Sequence, residues 1–148
     1  MGSSIPGMDK QISDDSGLVY ENTIHESLGI RAVEVTAERV VLEMDVTPTV
    51  HQPMGLLHGG ASAVLAESAA SMGSFMNCES GVEFSVGVDL NVTHLRAKRS
   101  GMVTATATPI RKGRTVHVWN IEIVGEDGKQ VAVARCTLAV RKVAEQIS

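Results

Sequence analysis

One stretch constrains the fold of this chain more than any other. Residues 59–76 hold a single charge, Glu67, among Gly, Ala, Ser, Met, Phe and aliphatic residues. Ala61, Val64, Leu65, Ser68, Met72, Phe75 and Met76 recur at helical spacing, and no proline interrupts them. The spacing predicts one helix of about four to five turns. A helix so poor in charge cannot keep a wide face in water, so the rest of the chain must wrap it.

That remainder is patterned as strand. Val40, Leu42, Met44 and Val46 alternate with Val41, Glu43 and Asp45, and an earlier strand over 30–36 pairs with them through Ala37 and Glu38. Phe84, Val86, Val88, Leu90 and Val92 hold period two, with Ser85, Gly87, Asp89, Asn91 and Thr93 opposite, which predicts a single apolar face. Strands over 103–108, 115–124 and 131–140 follow. Turns at Arg99-Ser100-Gly101, at Arg111-Lys112-Gly113-Arg114 and at Asp127-Gly128 separate them. A short helix is expected within 18–28. The order β-β-α-β-β-β-β with short links predicts an α+β domain, a mostly antiparallel sheet around one helix. Residues 1–17 lack periodicity and are expected to form a flexible tail, leaving one domain over 18–148.

Composition removes several function classes. The net charge of −4 and an aromatic content of 3% leave little to hold nucleic-acid phosphates or to stack on bases. No apolar run approaches the roughly 20 residues of a membrane span, and residues 1–15 carry no apolar leader core. Cys78 and Cys136 stand far apart in no metal or redox motif, which predicts a reducing cytoplasm. Glycine-rich nucleotide loops, H-E-x-x-H and G-x-S-x-G are absent.

The chemistry concentrates where the helix begins. Gly59 and Gly60 place backbone N–H groups at its N-terminus, where they lack intrahelical partners and carry the positive end of the dipole. They either polarise a carbonyl or only close a tight loop. Glu67 has Gly60, Ala63, Ser71 and Ser74 at helical spacing, so a lone carboxylate sits on a small-residue face that a ligand or a second chain could approach. A carboxylate buried there needs a partner or a function, whereas a solvated glutamate would normally have charged neighbours. His94 continues the phase of the 84–92 strand, as a core residue or as part of a site. His58 and Gln52 flank the glycine pair; His25, His51 and His117 have no supporting context. Arg96, Lys98 and Arg99 form one basic group and Arg111, Lys112 and Arg114 another, either solvated charge or contacts for a phosphate-bearing ligand.

The run Gln52-Pro53-Met54-Gly55-Leu56-Leu57-His58-Gly59-Gly60-Ala61-Ser62, continued by Leu65-Ala66-Glu67-Ser68, resembles the hotdog-fold acyl-CoA thioesterases of the phenylacetate-pathway type. Within that type it is most similar to the 1,4-dihydroxy-2-naphthoyl-CoA thioesterases of menaquinone synthesis and to the enterobactin proofreading thioesterases. The likeness continues through Asn91-Val92-Thr93-His94-Leu95-Arg96 and Val118-Trp119-Asn120, over about 28–142. It implies a curved antiparallel sheet around one helix, dimers with active sites shared at the interface, and homotetramers built from them. It also implies an acyl-CoA substrate and no metal or organic cofactor. Carried over by motif, Glu67 is the catalytic base or nucleophile and Gly59 the backbone donor to the thioester carbonyl. Gln52 and His58 position the thioester, and Ser71 holds the water or leaving group. Met54, Gly60 and Gly87, then His94, Leu95, Arg96 and Ala97, and the turn Arg111, Lys112, Gly113, Arg114 and Thr115 line the acyl and CoA sites. Met54 stands where the family often has an aromatic. A hydroxyacyl-thioester dehydratase and a non-catalytic acyl-CoA-binding protein are the other readings of such a fold; the dehydratase's paired histidine and acidic residue follow a different loop pattern.

Overall fold

The computed structural model describes residues 20–144. The expected tail over 1–17 lies outside the described residues. A short helix α1 (Ile24–Leu28) ends at Gly29 in the left-handed conformation. The hairpin β1 (Arg31–Val35) and β2 (Val40–Asp45) follows, then a single 3-10 turn at Pro48–Val50. The long helix α2 (Gly59–Phe75) is succeeded by β3 (Glu83–His94), β4 (Met102–Lys112), β5 (Val116–Gly125) and β6 (Gln130–Lys142). The six strands form one sheet in the order β1-β2-β4-β5-β6-β3, every neighbouring pair antiparallel. The sheet packs on α2 through β2, β3, β4, β5 and β6, the wrapped helix that the sequence predicts. None of the described helices is long and apolar enough to cross a membrane.

Small residues let the sheet close onto the helix. Leu65, Ala66, Ala69 and Ala70 of α2 are fully buried against Leu42, Met44, Val103, Ala105, Ala107, Ile121 and Ile123. Trp119 of β5 is also fully buried, with its ring over Gly73, where a Cβ would collide with the indole. Removing a side chain of that size from water contributes about 1.5–3 kcal/mol.

Two departures from the predicted strands bear on function. β4 runs to Lys112 rather than ending at 108, with Ile110 bulged between Pro109 and Arg111. More important, the period-two face of β3 does not survive. Gly87 faces Leu138 and Asp89 faces Thr137, so Val88 is an extra residue in a β-bulge. Beyond the bulge, Leu90 and Val92 pack against the core as expected. Before it the phase inverts: Ser85 and Gly87 face α2, while Val86 and Val88 turn outward, 43% and 60% exposed. A one-residue insertion moves every side chain beyond it to the other face.

Candidate active site

The loop before α2 presents donors. The Gln52 carbonyl accepts from the Gly55 N–H at 2.9 Å, and Gly55 takes φ +76° to close this turn. Gln52 Oε1 accepts from the Met54 N–H, which leaves the side-chain amide, a donor, as the free end of Gln52. His51 Nε2 lies 2.9 Å from the Arg99 carbonyl and ties the loop to the far side. His58 caps the helix: its Nδ1 accepts from the Gly60 N–H at 2.7 Å. Gly60 is therefore not the second bare amide that the sequence suggests. Among the described residues the Gly59 N–H has no hydrogen-bond acceptor, whereas the Ala61 and Ser62 amides both reach the His58 carbonyl. His94 stands over this end of the helix; a Cβ on Gly59 would come within 2.7 Å of its Nε2. Gln52, Gly59, His94, Leu95, Arg96 and Ala97 line one cavity of about 370 Å³. Met54 projects from the loop, 73% exposed.

Glu67 occupies a different cavity. It is half-buried, and its side chain has no hydrogen bond or ion pair among the described residues. Its carboxylate lies against Gly87, where any side chain would collide with Oε1. The β3 bulge thus brings a glycine, not a valine, to the carboxylate. Ser68, Ser71, Met72, Phe75 and Ser85 complete a space of about 380 Å³ with Tyr20, Thr23 and His25. Of this lining the sequence suggests Glu67 and Ser71; Ser68, Met72, Phe75, Ser85, Tyr20, Thr23 and His25 are absent from its set. The small polar residues Ser85 and Gly87 share a phase, which was the available signal; nothing local marks Tyr20 or His25. The rings of Tyr20 and His25 meet edge to face at 5.3 Å. Burial lowers the His25 pKa and favours the neutral ring, and among the described residues its buried Nε2 has no partner. Ser74, expected on the Glu67 face, is instead fully buried and bonded to His117.

Gly59 and Glu67 are eight residues apart on α2, about 12 Å along its axis at 1.5 Å per residue. One thioester carbonyl cannot touch both within one chain. The basic groups are also partly committed. Arg96 bonds Asp127 at 3.1 Å, Lys98 meets Glu126 at 2.8 Å, and Lys112 pairs with Glu38. Arg99, Arg111 and Arg114 have no ion pair among the described residues. The turn carrying Arg111, Lys112, Gly113, Arg114 and Thr115 lies outside both cavities. Burial raises the Cys78 pKa and pushes that of Cys136 up to about 12, the opposite of the lowering that activates a thiol.

The pattern described as the Thioesterase superfamily matches residues 54–132. A Listeria monocytogenes protein named 1,4-dihydroxy-2-naphthoyl-CoA hydrolase is 44% identical over 119 residues, 80% of this chain and 96% of that one. A mutant thioesterase from Pseudomonas aeruginosa superposes with a TM-score of 0.81 at 46% identity, covering 84% of this chain and 89% of the other. A Haemophilus influenzae thioesterase gives a TM-score of 0.80 at 40% identity over 84% and 86%.

Proposed function

Since this chain belongs to the thioesterase superfamily and is a thioester hydrolase with the hotdog fold, we propose that its substrate is an aromatic acyl-CoA. Hydrolysis yields the free acid and coenzyme A. The observation that carries this reading is Glu67: a half-buried carboxylate without a partner among the described residues, facing a cavity large enough for an aromatic ring. The cavity's Phe75, Met72 and Tyr20 suit a flat acyl group, and the Listeria relative is named for an aromatic acyl-CoA.

The 12 Å between Gly59 and Glu67 supports a site shared by two copies of the chain. Among the described residues β3 is an edge of the sheet, the place where another strand can pair, and Glu67 lies beneath it. A second copy added antiparallel along that edge carries its own Gly59 toward the first copy's Glu67; two such dimers form the tetramer. Each site then draws Glu67, Ser71 and Gly87 from one copy. From the other it draws Gly59, Gln52, His58 and the cavity of His94, Leu95, Arg96 and Ala97. The Gly59 N–H and the Gln52 amide donate to the thioester oxygen as negative charge develops there. Glu67, as base, takes a proton from water held by Ser71 while the water oxygen bonds to the carbonyl carbon; the C–S bond then breaks and the coenzyme A sulfur takes that proton from Glu67 and leaves as the thiol. As nucleophile, Glu67 instead forms a mixed anhydride that water cleaves. Arg111 and Arg114 of the turn meet the coenzyme A phosphates. The free thiols of Cys78 and Cys136 support a reducing compartment such as the cytoplasm.

The test is thiol release from benzoyl-, phenylacetyl-, hydroxynaphthoyl-, short-chain and long-chain acyl-CoA by the wild type and Glu67→Gln. Aromatic turnover that falls about 10²–10⁴-fold in the variant supports the reading. Equal turnover by both, or preference for a long chain, refutes it.

A further inference from the structure

The core contains a polar couple that thioester cleavage does not use. Ser74 lies in the last turn of α2 and is fully buried; His117, near the start of β5, is 4% exposed. Ser74 Oγ and His117 Nδ1 are 2.6 Å apart. Burial lowers the histidine pKa; a hydrogen bond with the Gly113 backbone and the charge of Glu83 oppose this, and the charge of Lys112 adds to it. An apolar pair of the same volume would fill this space without the cost of desolvating two polar groups. The couple therefore needs a reason beyond packing.

Its position supplies one. His117 faces Lys112 in the β4–β5 register and flanks the turn at 113–115. The Gly113 N–H donates to the Val116 carbonyl, and the Val140 N–H to the Thr115 carbonyl, each at 2.9 Å. A Cβ on Gly113 would lie 2.8 Å from the Val116 oxygen and 3.1 Å from Nε of Arg111, so the turn is tight and Arg111 folds over it. Lys112 is held by Glu38, whereas Arg111 and Arg114 are exposed and have no ion pair among the described residues. Two uncommitted guanidinium groups thus project from a turn bolted, through His117, to the helix that carries Glu67 seven residues before Ser74.

We infer that the Ser74–His117 hydrogen bond is a positioning latch. It fixes the turn so that Arg111 and Arg114 meet the phosphates of the coenzyme A moiety while the acyl end lies at Glu67. This rests on the reading of the turn as a phosphate contact. It adds that the core pair, which never touches substrate, sets the affinity for the nucleotide half.

The experiment compares KM for an acyl-CoA with KM for the same acid as a pantetheine thioester, which lacks the phosphates. Three proteins are assayed: wild type, Arg111→Ala/Arg114→Ala, and the apolar isostere Ser74→Ala/His117→Leu. Thermal unfolding reports whether each is folded. The arginine variant is expected to raise KM for the CoA ester roughly tenfold or more and to leave the pantetheine ester unchanged. The latch variant is expected to do the same at unchanged kcat, with His117→Asn, which retains a polar atom, recovering part of the loss. If the arginine variant leaves the CoA-to-pantetheine ratio unchanged, the turn does not contact phosphate and the latch has no object. If the arginine variant changes the ratio and the latch variant does not, the latch is refuted while the phosphate contact stands. Should the isostere fail to fold, Ser74→Ala alone carries the same comparison.

Discussion

Strands β3 and β5 are written in the same alternating script and are used for opposite purposes. β5 is paired on both sides, by β4 and β6, and its alternation runs unbroken through Trp119, Ile121 and Ile123, all fully buried. Among the described residues β3 is paired only by β6, and the bulge at Val88 splits its alternation. One half feeds the core with Leu90 and Val92; the other turns Val86 and Val88 outward and Gly87 toward Glu67. A central strand is constrained from two sides, so its pattern reports burial directly. An edge strand can absorb an extra residue, and here that residue delivers a glycine to the carboxylate and valines to the open side.

The contrast can be broken at several points. The largest effect on stability belongs to β5: Trp119→Ala is expected to cost about 3–5 kcal/mol in denaturant unfolding, because the ring fills the space above Gly73. Gly87→Ala on β3 is expected to leave stability nearly unchanged, since Glu67 can swing aside. It should lower kcat roughly 10²-fold by displacing the carboxylate; unchanged kcat would remove Gly87 from the site. Val88→Lys is expected to leave the subunit within about 0.5 kcal/mol of wild type. It should also shift sedimentation toward a smaller species and abolish activity with it. Mixing inactive Glu67→Gln and Gln52→Ala subunits is expected to restore part of the wild-type rate, because one site in each mixed dimer is intact; no recovery on mixing would confine the site to one chain. The smallest effect is on pH. Burial lowers the pKa of His25 and of His117, so the unfolded chain takes up their protons first. Stability from these groups is complete above the unfolded value of about 6.5 and declines as pH falls toward the lower folded values. Denaturant midpoints at about pH 7.5 and about pH 5 should show this decline, reduced in His117→Leu.

The candidate residues that the sequence names are those with local signals. The solitary Glu67 in a small-residue helix and the Gly59 amide at the start of that helix are both marked by residues within one element. The helix and all six strands are legible for the same reason: side-chain spacing and turn residues along one element report which face is buried and where the element ends. What the sequence left open required contacts between distant segments. That His58 takes the Gly60 amide and leaves Gly59 alone follows from loop geometry. Tyr20 and His25 reach the Glu67 cavity only because the chain before β1 folds back over α2. Ser74 looked like a member of the carboxylate's face until β5 supplied His117.

By itself, then, the sequence determined one apolar helix within an antiparallel sheet and the residue types at its N-terminal end, since propensity, capping and alternation act between near neighbours. Tertiary structure decided that β3 leaves α2 for the far edge of the sheet, that the bulge inverts half of it, and that Glu67 and Gly59 open into separate cavities. Strand order and register minimise the free energy of the whole sheet on the helix, a sum over long-range pairings that no window of the sequence contains.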